Sequence, residues 1–221
     1  DIDSIKNALI PKDRKDVGQR LILAPQRFDS RITDEQIMDL AKEYADSGVN
    51  VMVLTPSANR AEKWEDIGAE IIEKDNINKD IASLKSKKGS LNVLVNRYDG
   101  VDLNGDMCRI LILDGYPSFS SYEQLYAELR LESVKSSLKA QIIEQGLGRA
   151  VRSGSDYCAV FLMGKDLLQF LGNKSNLQYF TPVTRKQLKL GLSLLDDESN
   201  DNALKTIRDT AKLCLVQDMS W

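Results

Sequence analysis

The stretch Glu144–Tyr157, EQGLGRAVRSGSDY, places Arg149 and Arg152 just behind Gly146 and Gly148, at the end of a zone that reads as helical from Ser121 onward. Glycine inside a helix costs about 1 kcal/mol relative to alanine, so its presence beside two arginines needs a reason. With the helix continued, Gln145, Arg149 and Arg152 stand at i, i+4 and i+7 and share one narrow stripe at about 100° per residue. A guanidinium is a rigid fork of donors suited to phosphate oxygens, and two on one stripe form a clamp for an anion. Glycine at 146 and 148 opens the backbone to close approach. The same residues also suit a solvated helix end that stops at Ser153-Gly154, with arginines favourable to the helix dipole. Spacing alone leaves both readings open.

Outward from this stretch, short apolar runs alternate with amphipathic ones. RLILAP (Arg20 to Pro25) reads as a strand. In the following ITDEQIMDLAKEYADSG, Thr33 is a helix N-cap, Gln36 completes a capping box and Gly48 is a stop. VNVMVLTPS (Val49 to Ser57) is a β-branched run ended by Pro56, and SANRAEKWEDIG reads as helical. AEIIE, INKDIASLKSKKG, LNVLVN, CRILILDGYP and YCAVFLMG continue the alternation. Near-continuous apolar strands separated by helices predict a doubly wound α/β domain, a mainly parallel sheet with helices on both faces. Ligands of such sheets gather at the carboxyl ends of the strands. TPSANR, NRYDGVDL and DGYPSFSS each follow a strand and are expected to line that one edge.

After Lys165 the pattern changes to two helices, TPVTRKQLKLGLSLLDD and NDNALKTIRDTAKLCLVQD, separated by the acidic run DDESND. Leu204, Ile207, Ala211, Cys214 and Leu215 recur at helical spacing and give the second helix an apolar face. The expected division is a lead-in over 1–19, the sheet domain over 20–172 and a helical C-terminal extension over 173–221, packed on the sheet domain.

The chain has 221 residues, 42% hydrophobic and 29% charged, with a net charge of −3. That excludes a surface coated in positive charge, so any nucleic-acid contact is local. Cys108, Cys158 and Cys214 are widely spaced and the chain has no histidine. No zinc pattern fits, no metal site is expected, and the odd cysteine count points away from disulfides and toward a reducing, cytoplasmic setting. No apolar run approaches the roughly 18 residues of a membrane span. A start on Asp1, with no signal-peptide pattern, suits a piece of a longer chain. No G-x-x-x-x-G-K-[ST] loop occurs, and MGKDL has the Gly-Lys pair without the upstream glycine. ILILD (Ile110 to Asp114) has the form of a Mg²⁺-holding strand. Without a phosphate loop before it, it reads as a buried strand ending in a polar turn.

A second polar cluster, NVLVNRYDGVDLNGD (Asn92 to Asp106), leaves an apolar strand and passes through Gly100 to Asp102. Asp102 is suited to accept from a sugar hydroxyl and Arg97 to meet a phosphate; a polar loop with turn glycines reads equally well. Taken together and in this order, the two clusters resemble motifs V and VI of superfamily 2 helicases. QGLGRAVR (Gln145 to Arg152) matches Q-x-x-G-R-x-x-R at every fixed position, and NVLVNRYDGVDL resembles motif V, in which a strand leads to G-x-D. SGSDYCAVFLMG is similar to the segment after motif VI in DNA-repair helicases of the iron–sulfur group, and VNVMVLTPSANRAEKW fits motif IV. The resemblance covers about Val49 to Gly164 and is absent from the tail. Many family members have a threonine at the end of the motif V strand, where this chain has Asn96-Arg97.

The resemblance implies the second of two RecA-like lobes of an ATP-dependent helicase or duplex translocase acting on nucleic acid, with DNA favoured over RNA. The phosphate loop, the Mg²⁺ carboxylate and the catalytic glutamate then lie on an N-terminal lobe, and ATP with Mg²⁺ lies between the two. Arg152 is implied as the arginine finger and Arg149 as its companion. Gln145, Gly148, Gly100 and Asp102 are implied to face the nucleotide. Thr55, Ser57, Arg60 and Arg97 are implied to face backbone phosphates. The lobe alone is expected neither to bind ATP tightly nor to hydrolyse it. The iron–sulfur members carry their cluster cysteines on the first lobe, so the three cysteines here say nothing of a cluster. The alternative is a non-catalytic α/β module whose arginine stripe binds an anionic or protein partner.

Overall fold

Six strands form a single sheet in the computed structural model, which describes residues 18–72, 83–96, 102–103, 105–116, 132–151, 154–193 and 202–219. They are β1 (Gln19–Leu23), β2 (Val51–Thr55), β3 (Glu70–Ile72), β4 (Leu91–Val95), β5 (Ile110–Asp114) and β6 (Tyr157–Met163). Their order is β1-β6-β5-β2-β4-β3, and every neighbouring pair is parallel. Parallel neighbours need crossovers that run over the faces, so both faces are covered. That is why β2 and β5 are buried at every residue and read as unbroken apolar runs.

The described helices are α1 (Pro25–Phe28), α2 (Asp34–Asp46), α3 (Ala58–Glu65), α4 (Glu132–Leu147), α5 (Lys165–Gly172), α6 (Pro182–Ser193) and α7 (Ala203–Leu215). One core layer joins Ile37 of α2, Trp64 of α3 and Ile207 of α7 to one side of the sheet. The other joins Ile143 of α4, Leu167 of α5 and Leu188 of α6 to the opposite side. The start of α2 follows the sequence. The Thr33 hydroxyl accepts from the Gln36 N–H at 3.3 Å, and the Gln36 side chain accepts from the Thr33 N–H at 3.0 Å. Gly48, at φ +93°, ends that segment in a conformation that favours glycine. The short α1 is a feature that alternation does not signal. Residues 77–82 of INKDIASLKSKKG, residues 121–131 of the long helical zone and the whole of the run DDESND lie outside the described residues.

The C-terminal helices cover both faces. α7 buries Ile207, Ala211 and Cys214 completely, as its periodicity predicts, and leaves Leu204 and Leu215 partly buried. The Tyr44 hydroxyl of α2 donates to the Arg208 carbonyl of α7 at 3.1 Å. α6 lies directly on β1: a Cβ on Gly191 would stand 1.7 Å from the Ile22 carbonyl oxygen. The Thr181 hydroxyl donates to the Glu144 carboxylate, and the buried Thr184 meets Arg20 at 3.5 Å, so α6 is also tied to α4 and β1.

The expectation that three loops line one edge needs correction. TPSANR begins at the carboxyl end of β2, and Asp114-Gly115 follows β5 at that same edge. NRYDGVDL departs from the carboxyl end of β4, but its continuation has reached the amino edge by Gly105. There the Gly105 N–H donates to the Asp156 carboxylate at 3.2 Å, and the Asn50 amide donates to the Asp106 carbonyl at 2.7 Å. Asp156 and Asn50 both precede strand starts, which places this segment at the opposite end of the sheet.

Two outcomes follow from this packing. Gly191→Ala drives a methyl into the backbone of β1 and is expected to lower unfolding stability by about 1–3 kcal/mol in urea titration. Burial pushes the Tyr44 phenol from 10.0 up to about 12. The unfolded chain therefore loses this proton first, and the contribution of Tyr44 is whole below pH 10 and lost as pH rises through 12. Tyr44→Phe is expected to cost about 1 kcal/mol at pH 8 and to flatten the decline of melting temperature between those two values.

Candidate functional site

The end of α4 is fixed by its apolar side. Ile143, Leu147 and Ala150 are completely buried, which turns Gln145 and Gly148 out to solvent and leaves Arg149 half-buried. The helix closes at Leu147 with a tightened turn. The Gly148 N–H is shared between the carbonyls of Glu144 at 3.0 Å and Gln145 at 3.1 Å, and the Arg149 N–H reaches the Gly146 carbonyl at 3.1 Å. The helix therefore does not continue to residue 152, and the single-stripe geometry drawn from unbroken periodicity does not hold past Leu147. The Arg149 side chain folds back, its Nε donating to the Gln145 carbonyl at 3.1 Å. This is a favourable place for a cation, against the partial negative charge of a helix C-terminus.

Gly148 is not required by the fold. A Cβ there would meet the Gln145 and Glu144 carbonyl oxygens at 3.4 and 3.5 Å, close to ordinary contact. What its absence provides is a bare, exposed patch of backbone next to Arg149. Gly146 is buried within the helix.

The two polar clusters of the sequence meet at this point. The Leu103 N–H donates to the Arg149 carbonyl at 3.1 Å, and Leu103 is completely buried under α4. Asp102, half-buried, is thereby carried to the neighbourhood of Arg149. Arg152, Gly100 and Arg97 lie outside the described residues.

Sequence reading missed the clamp that holds this junction. Asp156 is buried and takes the Arg109 guanidinium at 3.2 Å as well as the Gly105 N–H. Arg109 also donates to the Tyr157 carbonyl at 3.0 Å and to Asp106 at 2.9 Å, and its guanidinium lies 3.8 Å above the Tyr157 ring. The segment after Asp102 is thus fastened to the strand that follows residue 152. The available signal was a charged residue immediately before each of β5 and β6. Nothing in the spacing paired them.

The other candidate residues lie at the carboxyl edge. Thr55 is completely buried, and its hydroxyl donates to the Ser57 carbonyl at 3.3 Å. Ser57 is exposed at the start of α3. Arg60 Nη2 lies 3.0 Å from Asp114 Oδ1 and 3.9 Å from Asp34 Oδ2. The Trp64 indole donates to the other Asp114 oxygen at 2.9 Å. Burial raises the Asp114 carboxyl above its ordinary range, while the Trp64 hydrogen bond and the Arg60 charge pull it down. The ILILD run therefore ends in a buried carboxylate that takes the Trp64 hydrogen bond on one oxygen and the charge of Arg60 beside the other. Among the described residues, no three histidine, cysteine or acidic side chains cluster to hold a metal ion.

Residues 28–180 match the helicase C-terminal domain family. No curated protein matches the chain in sequence. A solved structure described as "XPD_Helicase" superposes with a TM-score of 0.51 at 17% identity, over 74% of this chain and 34% of that one. The structure of S. tokodaii Xpd4 gives 0.47 at 18% identity, over 76% and 38%. The chain spans little more than a third of the length of each. At such identities the likeness is one of fold, and the fold is the RecA-like one that the strand order builds. On the family match, which spans more than half of its length, the chain belongs to the helicase C-terminal domain family.

Proposed function

We propose that the chain is the second RecA-like lobe of an ATP-dependent superfamily 2 helicase or translocase acting on DNA, and that it contributes arginine donors to ATP bound against an N-terminal lobe. The observation that carries the reading is the Leu103-to-Arg149 backbone bond, which joins the G-x-D segment to the Q-x-x-G-R-x-x-R segment at one place on the surface.

In ATP hydrolysis water attacks the γ-phosphorus, the bond to the β–γ bridging oxygen breaks, and negative charge spreads over the γ-oxygens. Arg152 donates to those oxygens as the finger, and Arg149 joins it by leaving the Gln145 carbonyl. Gln145 presents its exposed amide to the nucleotide, and Asp102 accepts from a ribose hydroxyl. Gly148 and Gly100 leave room for the nucleotide or the facing lobe. The donors at this junction are cationic and suit phosphate oxygens. Mg²⁺ and the phosphate loop belong to the partner lobe in this reading. Ser57, Arg60 and Arg97 face backbone phosphates, with Thr55 shaping the turn beneath them through its bond to Ser57. With a net charge of −3, such binding is local and salt-sensitive. Cys108, Cys158 and Cys214 are free and buried, which suits a reducing, cytoplasmic setting. No helix among the described residues is long and apolar enough to cross a membrane.

One observation favours the alternative of a non-catalytic module: Arg149 rests on its own helix end, as a solvated cap does. Turnover separates the two. In a protein joining this chain to its N-terminal lobe, Arg152→Ala is expected to lower ATP hydrolysis by ~10³-fold or more, read as phosphate release, with oligonucleotide binding retained. Unchanged turnover in that variant would count for the module. The isolated chain is expected to show none, and measurable hydrolysis by it would end the two-lobe reading.

Gly148→Ala separates fold from function at this junction. Among the described residues its methyl meets only carbonyls at the end of its own helix, so the melting curve is expected to stay within about 0.5 kcal/mol of the parent. ATP turnover in the two-lobe protein is expected to fall, because the bare patch beside Arg149 is filled.

A further inference from the structure

The Arg60 guanidinium lies in a seat built by several segments at the carboxyl edge, where β2 and β5 adjoin and the chain reverses its direction of travel across the sheet. Such points are where ligands of open α/β sheets bind. The floor of the seat is bare. Gly115 and Gly164 follow β5 and β6 at φ +91° and +93°, and a Cβ on either would stand 3.3 Å from Nη1 or 3.1 Å from Nη2. Pro56 closes one side, its Cγ 3.3 Å from the same point above Gly115. Asp114 closes the inner end at 3.0 Å; it is 4% exposed and fixed from behind by the Trp64 indole.

The outer side is open. The Arg60 side chain remains 29% exposed, and the anion on that side, Asp34, is 3.9 Å away, beyond hydrogen-bond range. The Oδ1 of Asp34 is engaged separately, by the Gln26 amide at 2.7 Å. A guanidinium carries five N–H donors in a rigid plane, so a carboxylate on its inner edge leaves others directed outward.

We propose that Arg60 is a pre-aimed phosphate donor: Asp114, Gly115 and Gly164 seat its guanidinium, and Asp34 stands as a displaceable anion where a backbone phosphate of a nucleic-acid strand binds. This rests on the nucleic-acid reading given above and adds the means by which the contact is built. Asp114 is a positioning residue that acts through Arg60, and Asp34 is a competitor. Neutralising the two neighbouring carboxylates therefore has opposite effects.

The test is fluorescence anisotropy of a labelled single-stranded DNA oligonucleotide against the two-lobe protein over a salt series, with a thermal melt of each variant. Arg60→Gln is expected to weaken binding about tenfold and to reduce the slope of log affinity against log salt by about 0.7, the loss of one phosphate contact. Arg60→Lys keeps the slope and loses affinity, because an ammonium lacks the fork that spans Asp114 and a phosphate together. Asp34→Asn tightens binding severalfold. Asp114→Asn keeps an acceptor for Trp64 but releases the guanidinium, and weakens binding. An unchanged slope in Arg60→Gln overturns the proposal, as does a shift of Asp34→Asn and Asp114→Asn in the same direction, while the parent protein still binds. If Asp114→Asn melts before it can be assayed, the two Arg60 variants and Asp34→Asn decide. A parent protein that binds no oligonucleotide removes the nucleic-acid reading, and this proposal with it.

Discussion

β2 is paired on both edges, by β4 and β5, and none of its residues from Val51 to Thr55 is accessible to solvent. A parallel ladder in this position cannot show a face to water, because the crossovers that make it parallel must run over it. Each further element is therefore a neighbour in the ladder or a cover for one face. Burying one aliphatic side chain is worth about 1.5–3 kcal/mol, so a face left bare would be costly. This places the C-terminal helices within the core. α6 seats its backbone on β1 at Gly191, and α7 sends Ile207, Ala211 and Cys214 into the layer that holds Trp64. The family match ends at residue 180, whereas the core continues to Cys214.

With both faces covered, polar chemistry is left to the two edges, and the two edges are built differently. At the amino edge a buried carboxylate, Asp156, gathers the Gly105 N–H and the Arg109 guanidinium and pins a loop. At the carboxyl edge a buried carboxylate, Asp114, holds a guanidinium that stays partly in water. Burying a charge is tolerated only with a partner, and in both cases an arginine provides the opposite charge. Arg109 stacks on Tyr157 and donates to the Tyr157 carbonyl, Asp106 and Asp156, so its donors are engaged within the protein. Among the described residues no aromatic ring lies over Arg60, which faces its second carboxylate across a gap of 3.9 Å.

Much of this was legible in the sequence, and what was not has a physical reason. The strands, the capping box at Thr33 and Gln36 and the apolar face of α7 are local patterns, set by periodicity and by side chains a few residues apart. The doubly wound class followed from the alternation. The edges did not follow, because their bonds join distant residues: Trp64 and Asp114 are separated by 50 positions, and Arg109 and Asp156 by 47. The arrival of Leu103 to Asp106 at the amino edge was hidden for the same reason, since distant partners, Asn50, Arg149 and Asp156, hold the described residues there. The end of α4 at Leu147 was hidden differently. Periodicity continues through Arg152 in the sequence, and the break is made by carbonyl sharing at Gly148. The conjunction of the two helicase-like segments was legible only as a resemblance; no spacing rule brings Leu103 to Arg149.

Under the proposed reading Arg149 serves both as a helix cap and as a phosphate donor, and that junction bears on how. Its side chain uses Nε on the Gln145 carbonyl, whereas its own carbonyl receives the Leu103 N–H. The two bonds are independent, so the side chain can leave the helix end without releasing the loop. The guanidinium is ionised, so its bond to the Gln145 carbonyl is already charge-assisted, and a phosphate differs in offering an ionised acceptor as well. In the proposed reading a phosphate therefore competes with the helix end for this side chain. In that reading the helix cap and the phosphate donor are two states of one side chain. A backbone shift at Arg149 would be passed to Leu103, because the bond between them joins backbone to backbone rather than running through an adaptable side chain.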